Sequence, residues 1–507
     1  MVLATLNAKY SHASFGLRYL YANLGALRER AAILEFEISQ RPSDIVERIL
    51  QLNPTIVGLG VYIWNTDQTR EVVALIKRLR PQVTIVLGGP EVSYESQQQE
   101  IVGLADYVIC GEADLALREL CETLLAGSSP AQKVIFAAVP EPKVLTYPYE
   151  YYSEADLKNR IIYVEASRGC PFTCEFCLSS LDIPVRQFDL EPFLGELERL
   201  WQRGLRQFKF VDRTFNLNLR NSKTILEFFL NRCEPGMFVH FEMVPDRLPE
   251  ALRELVKKFP PGSLQFEVGI QSFNPEVGKL ISRRQDFEKI ADNLRFLRAE
   301  TGVHVHADLI AGLPGEGLES FAAGFNRLVE LDPHEIQVGI LKRLRGTPIV
   351  RHDAEWEMVY SPYAPYEVLQ TKLIDFSTMQ RLQRFARYWD LVANSGRFSR
   401  TKLLLWERSQ KPFESFLAFS DWLYAKIGAR HGIAVKSLSE YLFQFATSDL
   451  GHSPAEVGPT IVSDLQRCGI EDFAKSLRPF VPEKVRQKTN GSVLLPKRQG
   501  RHVAQAQ

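Results

Sequence analysis

Short apolar runs at Met1–Leu6, Ala32–Glu37, Ile56–Val61, Thr84–Leu87 and Tyr107–Cys110 alternate with amphipathic stretches at Gly16–Glu29, Pro42–Gln51, Thr66–Leu79 and Ala113–Leu125. Strand-length runs separated by helices of this length predict a parallel sheet covered by helices. Five such units fit a flavodoxin-like (Rossmann-type), doubly wound α/β domain over residues 1–130, whose ligands sit outside the carboxyl ends of the strands. Residues 131–155 follow a Gly-Ser-Ser-Pro stretch, contain several prolines and read as a linker. The alternation then resumes. Strands are expected at Ile161–Ala166, Gln207–Val211, Phe238–Met243, Leu264–Gly269, His304–Ile310 and Glu335–Ile340, with amphipathic segments between them. Six βα units fit a partial (β/α)6 TIM-like barrel over 156–348, in which chemistry gathers at the carboxyl ends of the strands. Residues 349–480 open with the aromatic, proline-rich Tyr360–Leu369. They continue as helical patterns at Thr378–Asn394, Phe413–His431 and Lys436–Ala446, which predicts a mainly α-helical region. The tail, 481–507, is polar, basic and aperiodic, a composition that predicts disorder.

Composition narrows the function classes. With 507 residues the chain exceeds a single core, so several domains are expected. Lys+Arg and Asp+Glu both number 61, leaving no global field to recruit nucleic acid or an anionic membrane. No apolar run reaches the ~20 residues of a membrane span, and the first residues lack the features of a signal peptide. Seven cysteines, three of them clustered, suit a reducing cytoplasm better than a disulfide framework.

The cluster lies in Arg168-Gly-Cys170-Pro-Phe-Thr-Cys174-Glu-Phe-Cys177, directly after the first strand of the second βα series. A structural zinc site wants four ligands, usually in two pairs. Here the second pair is missing, and Cys233 stands alone on a helical stretch. CxxxCxxC places three thiolates in one loop, and three thiolates on a [4Fe–4S] cluster leave one iron open. The spacing, the aromatic Phe176 before the last cysteine and the opening Gly-Cys-Pro resemble the radical S-adenosylmethionine (SAM) superfamily. That resemblance implies a cluster held by Cys170, Cys174 and Cys177, SAM bound at the open iron, and reductive cleavage of SAM to a 5′-deoxyadenosyl radical. It also implies a reductant such as flavodoxin or ferredoxin. Segments at later strand ends match superfamily motifs in register and imply a SAM site of Phe176, Asp212, Glu267, Gln271, Ser272, Gly312 and Pro314. Amide, hydroxyl and glycine-freed backbone groups of this kind suit the carboxylate, ribose and adenine of SAM. No residue is assigned to catalysis itself.

The loops at the strand ends of the first domain carry Asn7–Ser14, Tyr62–Thr66, Gly88-Gly-Pro-Glu91 and Gly111-Glu112. Paired glycines let a backbone approach a ligand closely. Such a domain directly before a radical SAM loop resembles the cobalamin (B12)-binding radical SAM enzymes, in the branch with an unassigned helical C-terminal domain. The resemblance implies that Asn7, Tyr10, His12, Ser14, Trp64, Asn65, Thr66, Gly88, Gly89, Pro90, Glu91, Gly111 and Glu112 surround cobalamin. The DxHxxG pattern that supplies a lower axial histidine in some cobalamin proteins is absent, so His12 is not expected to ligate cobalt. The implied activity is methylation of an unactivated carbon of a small molecule. The alternatives are cobalamin-dependent rearrangement, oxidation or cyclisation, a tRNA-modifying enzyme, and a non-catalytic Fe–S/SAM sensor. A tRNA-modifying role predicts a basic face, which the neutral charge balance does not favour.

Overall fold

The structure is a computed structural model that describes residues 1–482 and 496–503. The chain packs as two compact units. One comprises Met1–Arg213 with Lys342–Val350 and Ser361–Glu367; the other comprises Thr214–Leu341 with Arg351–Tyr360 and Val368–Gln507.

In the first unit, strands β1 (Val2–Asn7), β2 (Ala32–Glu37), β3 (Ile56–Gly60), β4 (Thr84–Gly88), β5 (Tyr107–Cys110) and β6 (Val134–Phe136) form one parallel sheet in the order β2-β1-β3-β4-β5-β6. Alternate strand positions serve opposite faces, as the two-residue repeat demands. Leu3, Ile56, Val86 and Ile109 pack against Leu17 and Leu117, which belong to the helices Phe15–Ala22 and Ala116–Leu125. Ala4, Val57, Leu59, Ile85 and Val108 meet Ile45 and Ile49 of Pro42–Leu50 and Val72 and Ile76 of Thr66–Leu79. Each such leucine, isoleucine or valine side chain contributes about 1.5–3 kcal/mol when removed from water. The doubly wound architecture expected from the sequence is present, with a sixth strand in addition. That strand lies inside the stretch read as a linker: Val134-Ile-Phe is too short to show a period, yet it pairs in parallel with Val108–Cys110.

The second βα series begins in the same unit. Strand β7 (Ile162–Val164) leads into a two-residue antiparallel pair, β8 (Ser167–Arg168) with β9 (Arg186–Gln187), which closes the cysteine loop, and β10 (Gln207–Phe210) runs parallel to β7. In the second unit, β11 (Phe238–Met243), β12 (Leu264–Gln271), β13 (His304–Ala311) and β14 (Glu335–Ile340) form consecutive parallel pairs. These six strands, two in the first unit and four in the second, are the parallel βα strands that the pattern predicts.

The helices of the C-terminal region, Phe376–Trp389, Pro412–Ile427, Val435–Gln444 and Pro454–Arg467, follow a short antiparallel pair of β15 (Val359–Tyr360) and β16 (Val368–Gln370). An aromatic core holds them: Phe325, from the barrel helix Leu318–Glu330, lies edge-on to Phe385 and Trp389 at 5.0 and 4.7 Å. Helix Pro454–Arg467 is absent from the sequence reading because Gly458 and Pro459 are poor helix formers set inside an otherwise regular apolar period; Gly458 is bare because Phe480 packs over it. The tail expectation needs correction where the tail is described. Lys497–Val503 is helical, His502 is buried, and Arg498 pairs with Glu335 and Asp390, each at 2.7 Å. Residues 483–495 and 504–507, also read as disordered, lie outside the described residues. Among the described residues no helix is long and apolar enough to cross a membrane.

Candidate functional site

The cysteine loop is shaped by its own backbone. Asp182 O accepts from Cys170 N–H at 2.9 Å, Cys174 O from Cys177 N–H at 3.1 Å, and Cys177 O from Ser180 Oγ at 2.6 Å. Gly169 sits at φ +85°, where a Cβ would stand 2.7 Å from Asp182 O and 2.8 Å from Pro184 O. No other residue fits so close an approach. Cys170 and Cys174 are buried and Cys177 is half-buried; among the described residues no cysteine forms a disulfide. Three thiol donors in one preformed loop match the soft ligand set of an iron–sulfur cluster.

A cavity of about 280 Å³ opens toward the carboxyl ends of β3, β4 and β5, lined by Gly58, Gly60, Gly88, Gly89 and Gly111 and by Phe15, Tyr19 and Tyr62. Glu112, Asp114, Glu165 and Arg168 form a charged wall. The two glycines read as one signal serve different ends. At Gly89, φ is +108° and a Cβ would overlap the Val61 carbonyl, so the protein itself requires glycine there. At Gly88 a Cβ would meet nothing nearer than Ile109 O at 3.7 Å, and at Gly111 nothing nearer than Ala137 O at 3.8 Å. Those two leave a bare surface that a Cβ would fill, as a cradle for a bound group requires.

Gly88, Gly89, Gly111 and Glu112 of the predicted cobalamin residues thus line the cavity, and the others do not. Asn7 donates to His12 O and Glu35, and Ser14 caps helix Phe15–Ala22. Tyr10 is exposed beneath the Arg160 guanidinium. Nδ1 of His12 is engaged by Tyr163 Oη at 2.5 Å, and burial holds its pKa below the usual value. Asn65 is fully buried, donating to Leu6 O and Gly60 O and accepting from Tyr62 N–H, so it ties β1 to β3. Trp64 stacks on Tyr62 at 4.5 Å, and Thr66 starts helix Thr66–Leu79. Pro90 is only half-buried, and Glu91 is buried as the acceptor of Arg345 and Tyr366. Tyr19, Glu165 and Arg168, which sequence reasoning did not propose, are cavity residues; the one available signal was that Arg168 adjoins Gly169-Cys170.

Arg168 is the pivot of a buried ion network. It lies 2.8 Å from Glu112, 3.0 Å from Asp114 and 2.9 Å from Glu165, with its guanidinium 4.4 Å from the Tyr19 ring centre. Glu112 is shared with Arg186, which also grips Asp182 at 2.7 Å, the residue whose carbonyl receives Cys170 N–H. Burial opposes ionisation of Glu112, but hydrogen bonding from Arg186 and the charge of Arg168 outweigh it and hold its carboxyl below the usual range. Burial pushes the Glu165 carboxyl up against the pull of Arg168.

The predicted SAM residues divide similarly. Phe176 is half-buried in the cysteine loop. Asp212 is buried and accepts from Ala166 N–H at 3.0 Å and Ser167 Oγ at 2.6 Å; burial pushes its carboxyl up to about 7. It therefore secures the approach to the loop. In the second unit, Glu267 pairs with His240 at 2.9 Å. Ser272 donates to the buried Glu316 at 2.5 Å, whose carboxyl burial pushes up to about 7. Gly312 and Pro314 are buried, and a Cβ at Gly312 would collide with Val368 and come within 3.0 Å of Met379. Gln271 differs. It sits at φ +71° on a bulge of β12, and its Oε1 is buried with no hydrogen-bond partner among the described residues.

A parallel α/β domain with a glycine-walled cavity, tied by Arg168 and Arg186 to a three-thiolate loop, joins a ligand-binding sheet edge to a loop of the iron–sulfur kind. Residues 1–121 match the B12 binding domain, 164–327 the radical SAM superfamily, and 354–480 a protein of unknown function (DUF4080). The chain is a cobalamin-binding radical SAM protein with a DUF4080 C-terminal region, and its cofactors are cobalamin, a [4Fe–4S] cluster and SAM. It is 26% identical over 335 residues to an uncharacterized methyltransferase, PH0819, of Pyrococcus horikoshii, covering 60% of this chain and 70% of the relative. It is 26% identical over 330 residues to the cobalamin-dependent radical SAM methyltransferase TokK of Streptomyces tokunonensis, covering 57% of this chain and 47% of TokK. The matched region thus spans about half the length of TokK. The fold is similar to TsrM from Kitasatospora setae, solved with cobalamin and a [4Fe–4S] cluster: TM-score 0.56, 19% identity, 70% of this chain and 74% of TsrM.

Proposed function

We propose that this chain is a cobalamin-dependent radical SAM methyltransferase acting on an unactivated carbon of a small molecule. The observation that carries the reading is Arg168: it lines the cavity at the strand ends and stands two residues before Cys170. A methyl carrier and a radical source must work in a common space, and this residue belongs to both walls. When bound, the cluster supplies the electron that cleaves SAM and cobalamin supplies the methyl group.

The chain's own residues bind and orient. Cys170, Cys174 and Cys177 hold the cluster. Gly88 and Gly111 leave the cavity wall bare for cobalamin, and Arg168, pinned by Glu112, Asp114 and Glu165, fixes that wall against the loop. Asp212 anchors residues 166 and 167 ahead of the cysteines. Among the SAM residues Gln271 has the best support, because a buried, unpartnered amide oxygen costs free energy that a ligand donor restores. The cobalamin-binding part extends through β6 to about residue 137, the barrel covers 156–348, and the helical region follows. The even charge balance favours a small substrate over nucleic acid, in the cytoplasm with a flavodoxin or ferredoxin reductant.

The test uses SAM labelled on its methyl group with the reduced holoenzyme. Label on cobalamin, together with S-adenosylhomocysteine and 5′-deoxyadenosine, is expected. Deoxyadenosine alone, with the label remaining in methionine, overturns methyl transfer in favour of rearrangement, oxidation or cyclisation.

A further inference from the structure

The helical C-terminal region holds a histidine–carboxylate group unconnected with either cofactor site. His452 precedes Ser453, the N-cap of helix Pro454–Arg467, and Glu456 lies in the first turn of that helix. Glu407 follows helix Thr401–Leu404. The His452 side chain is only 1% exposed. Its Nε2 lies 2.9 Å from Leu404 O. A carbonyl can only accept, so the proton sits on Nε2, and in the neutral ring Nδ1 presents a lone pair. That Nδ1 is buried and has no hydrogen-bond partner. It faces Glu407 Oε1 at 3.5 Å and Glu456 Oε2 at 3.8 Å, and the three atoms lie within 4.8 Å of one another. Three acceptors therefore converge. Among the described residues neither glutamate pairs with a lysine or arginine; Arg408 donates instead to Leu450 O at 2.9 Å.

We propose that Glu407, His452 and Glu456 form a divalent-metal site, suited to Zn²⁺ or a similar borderline cation. One imidazole with two carboxylates is a ligand set of that class, whereas Mg²⁺ and Ca²⁺ prefer oxygen alone. Donation from the far ring nitrogen to a backbone carbonyl is the support that metal-bound histidines commonly have. Metal–ligand distances of about 2.0–2.2 Å place tetrahedral ligand atoms roughly 3.3–3.6 Å apart. The histidine-to-glutamate separations are close to that, and the glutamates, 43% and 51% exposed, have room to swing inward. Three protein ligands leave a fourth position for water. The site clamps the turn after Thr401–Leu404 to the start of Pro454–Arg467.

The rival is an imidazolium paired with the two glutamates, and metal binding separates the two. The full-length chain, with its cluster assembled so that Cys170, Cys174 and Cys177 are engaged, is freed of other metal with a chelator and titrated with Zn²⁺ alone. Wild type should bind about one zinc per chain and gain a few degrees in thermal midpoint. The Glu407→Gln/Glu456→Gln variant should keep the metal-free midpoint while losing both the zinc and the gain. Equal zinc and an equal shift in the double variant, or no zinc in wild type, overturns the proposal. So does a double variant whose metal-free midpoint falls while wild type ignores zinc, because that is the behaviour of an ion pair.

Discussion

Gly88 and Gly89 are adjacent, alike in sequence and both at the cavity, yet alanine should act on them in opposite ways. At Gly89 the new Cβ would overlap the Val61 carbonyl at a positive φ. Left-handed strain costs about 1–3 kcal/mol, and forced displacement of the β3 end adds about 1–3 kcal/mol, so Gly89→Ala should lose about 2–6 kcal/mol. At Gly88 the backbone is extended and the nearest atom lies 3.7 Å away. The substitution removes freedom from the unfolded chain and should be neutral or stabilising by up to about 1 kcal/mol. Cobalamin binding should respond differently. Because Gly88 faces the cavity, Gly88→Leu should fold normally yet bind cobalamin at least ~100-fold more weakly, about 2.8 kcal/mol. Denaturant unfolding of the cofactor-free chain reads the first effect, and titration followed by cobalamin absorbance reads the second. If Gly88→Leu binds cobalamin as wild type does, the cavity is not the cofactor's place. If Gly89→Ala is as stable as wild type, the steric argument fails.

The chain prepared without oxygen should carry about four irons. Replacing Cys170, Cys174 and Cys177 together by alanine should remove them, whereas changing Cys110, Cys121, Cys233 or Cys468 singly should not; a triple variant that retains iron would exclude these ligands. A pH dependence follows from Glu316, whose buried carboxyl is pushed up to about 7. Because the folded value lies above the unfolded one, its contribution is fully present below about pH 4.5 and is lost as pH rises through 7. The thermal midpoint should therefore fall between pH 5 and 8, and less steeply in Glu316→Gln. Asp212, also near 7, keeps part of the slope. An identical slope in the variant would refute the assignment to Glu316.

Strand and helix positions were legible because both βα series bury one short apolar run per unit; Ala32–Glu37, Tyr107–Cys110, Phe238–Met243 and Glu335–Ile340 fall where the pattern predicts. The three cysteines stand out in the sequence because CxxxCxxC spacing is local, and the structure places them in one loop. The cavity wall was legible only where it consists of backbone. Gly88, Gly89 and Gly111 announce themselves in sequence, but Tyr19 and Arg168 reach the cavity through tertiary packing that no local pattern records. Conversely, Asn7, Ser14 and Asn65 look like ligand groups and serve the fold. A buried loop must satisfy its own amides and carbonyls, and short polar side chains at strand ends do so first. The same holds for Ser272, whose hydroxyl is spent on Glu316.

The basic run Lys342-Arg-Leu-Arg345 shows how far packing can move a residue from its apparent role. Read alone, it suggests either an anion-binding patch or a solvated edge. In the structure Lys342 is exposed, but the two arginines are spent within the fold. Arg345 donates to Glu91 at 2.8 Å, Arg343 to Glu95 at 3.1 Å, and Tyr366 to Glu91 at 2.7 Å. Gly346 has no side chain because Tyr94 occupies that space. Glu91 is buried, and an ionised carboxylate in that position without a partner would be strongly destabilising; its partners come from some 250 positions downstream. The loop that carries Gly88 and Gly89 is thus held by residues that follow the last barrel strand. The geometry of the glycine-walled cavity then depends on a segment far along the chain having come into place.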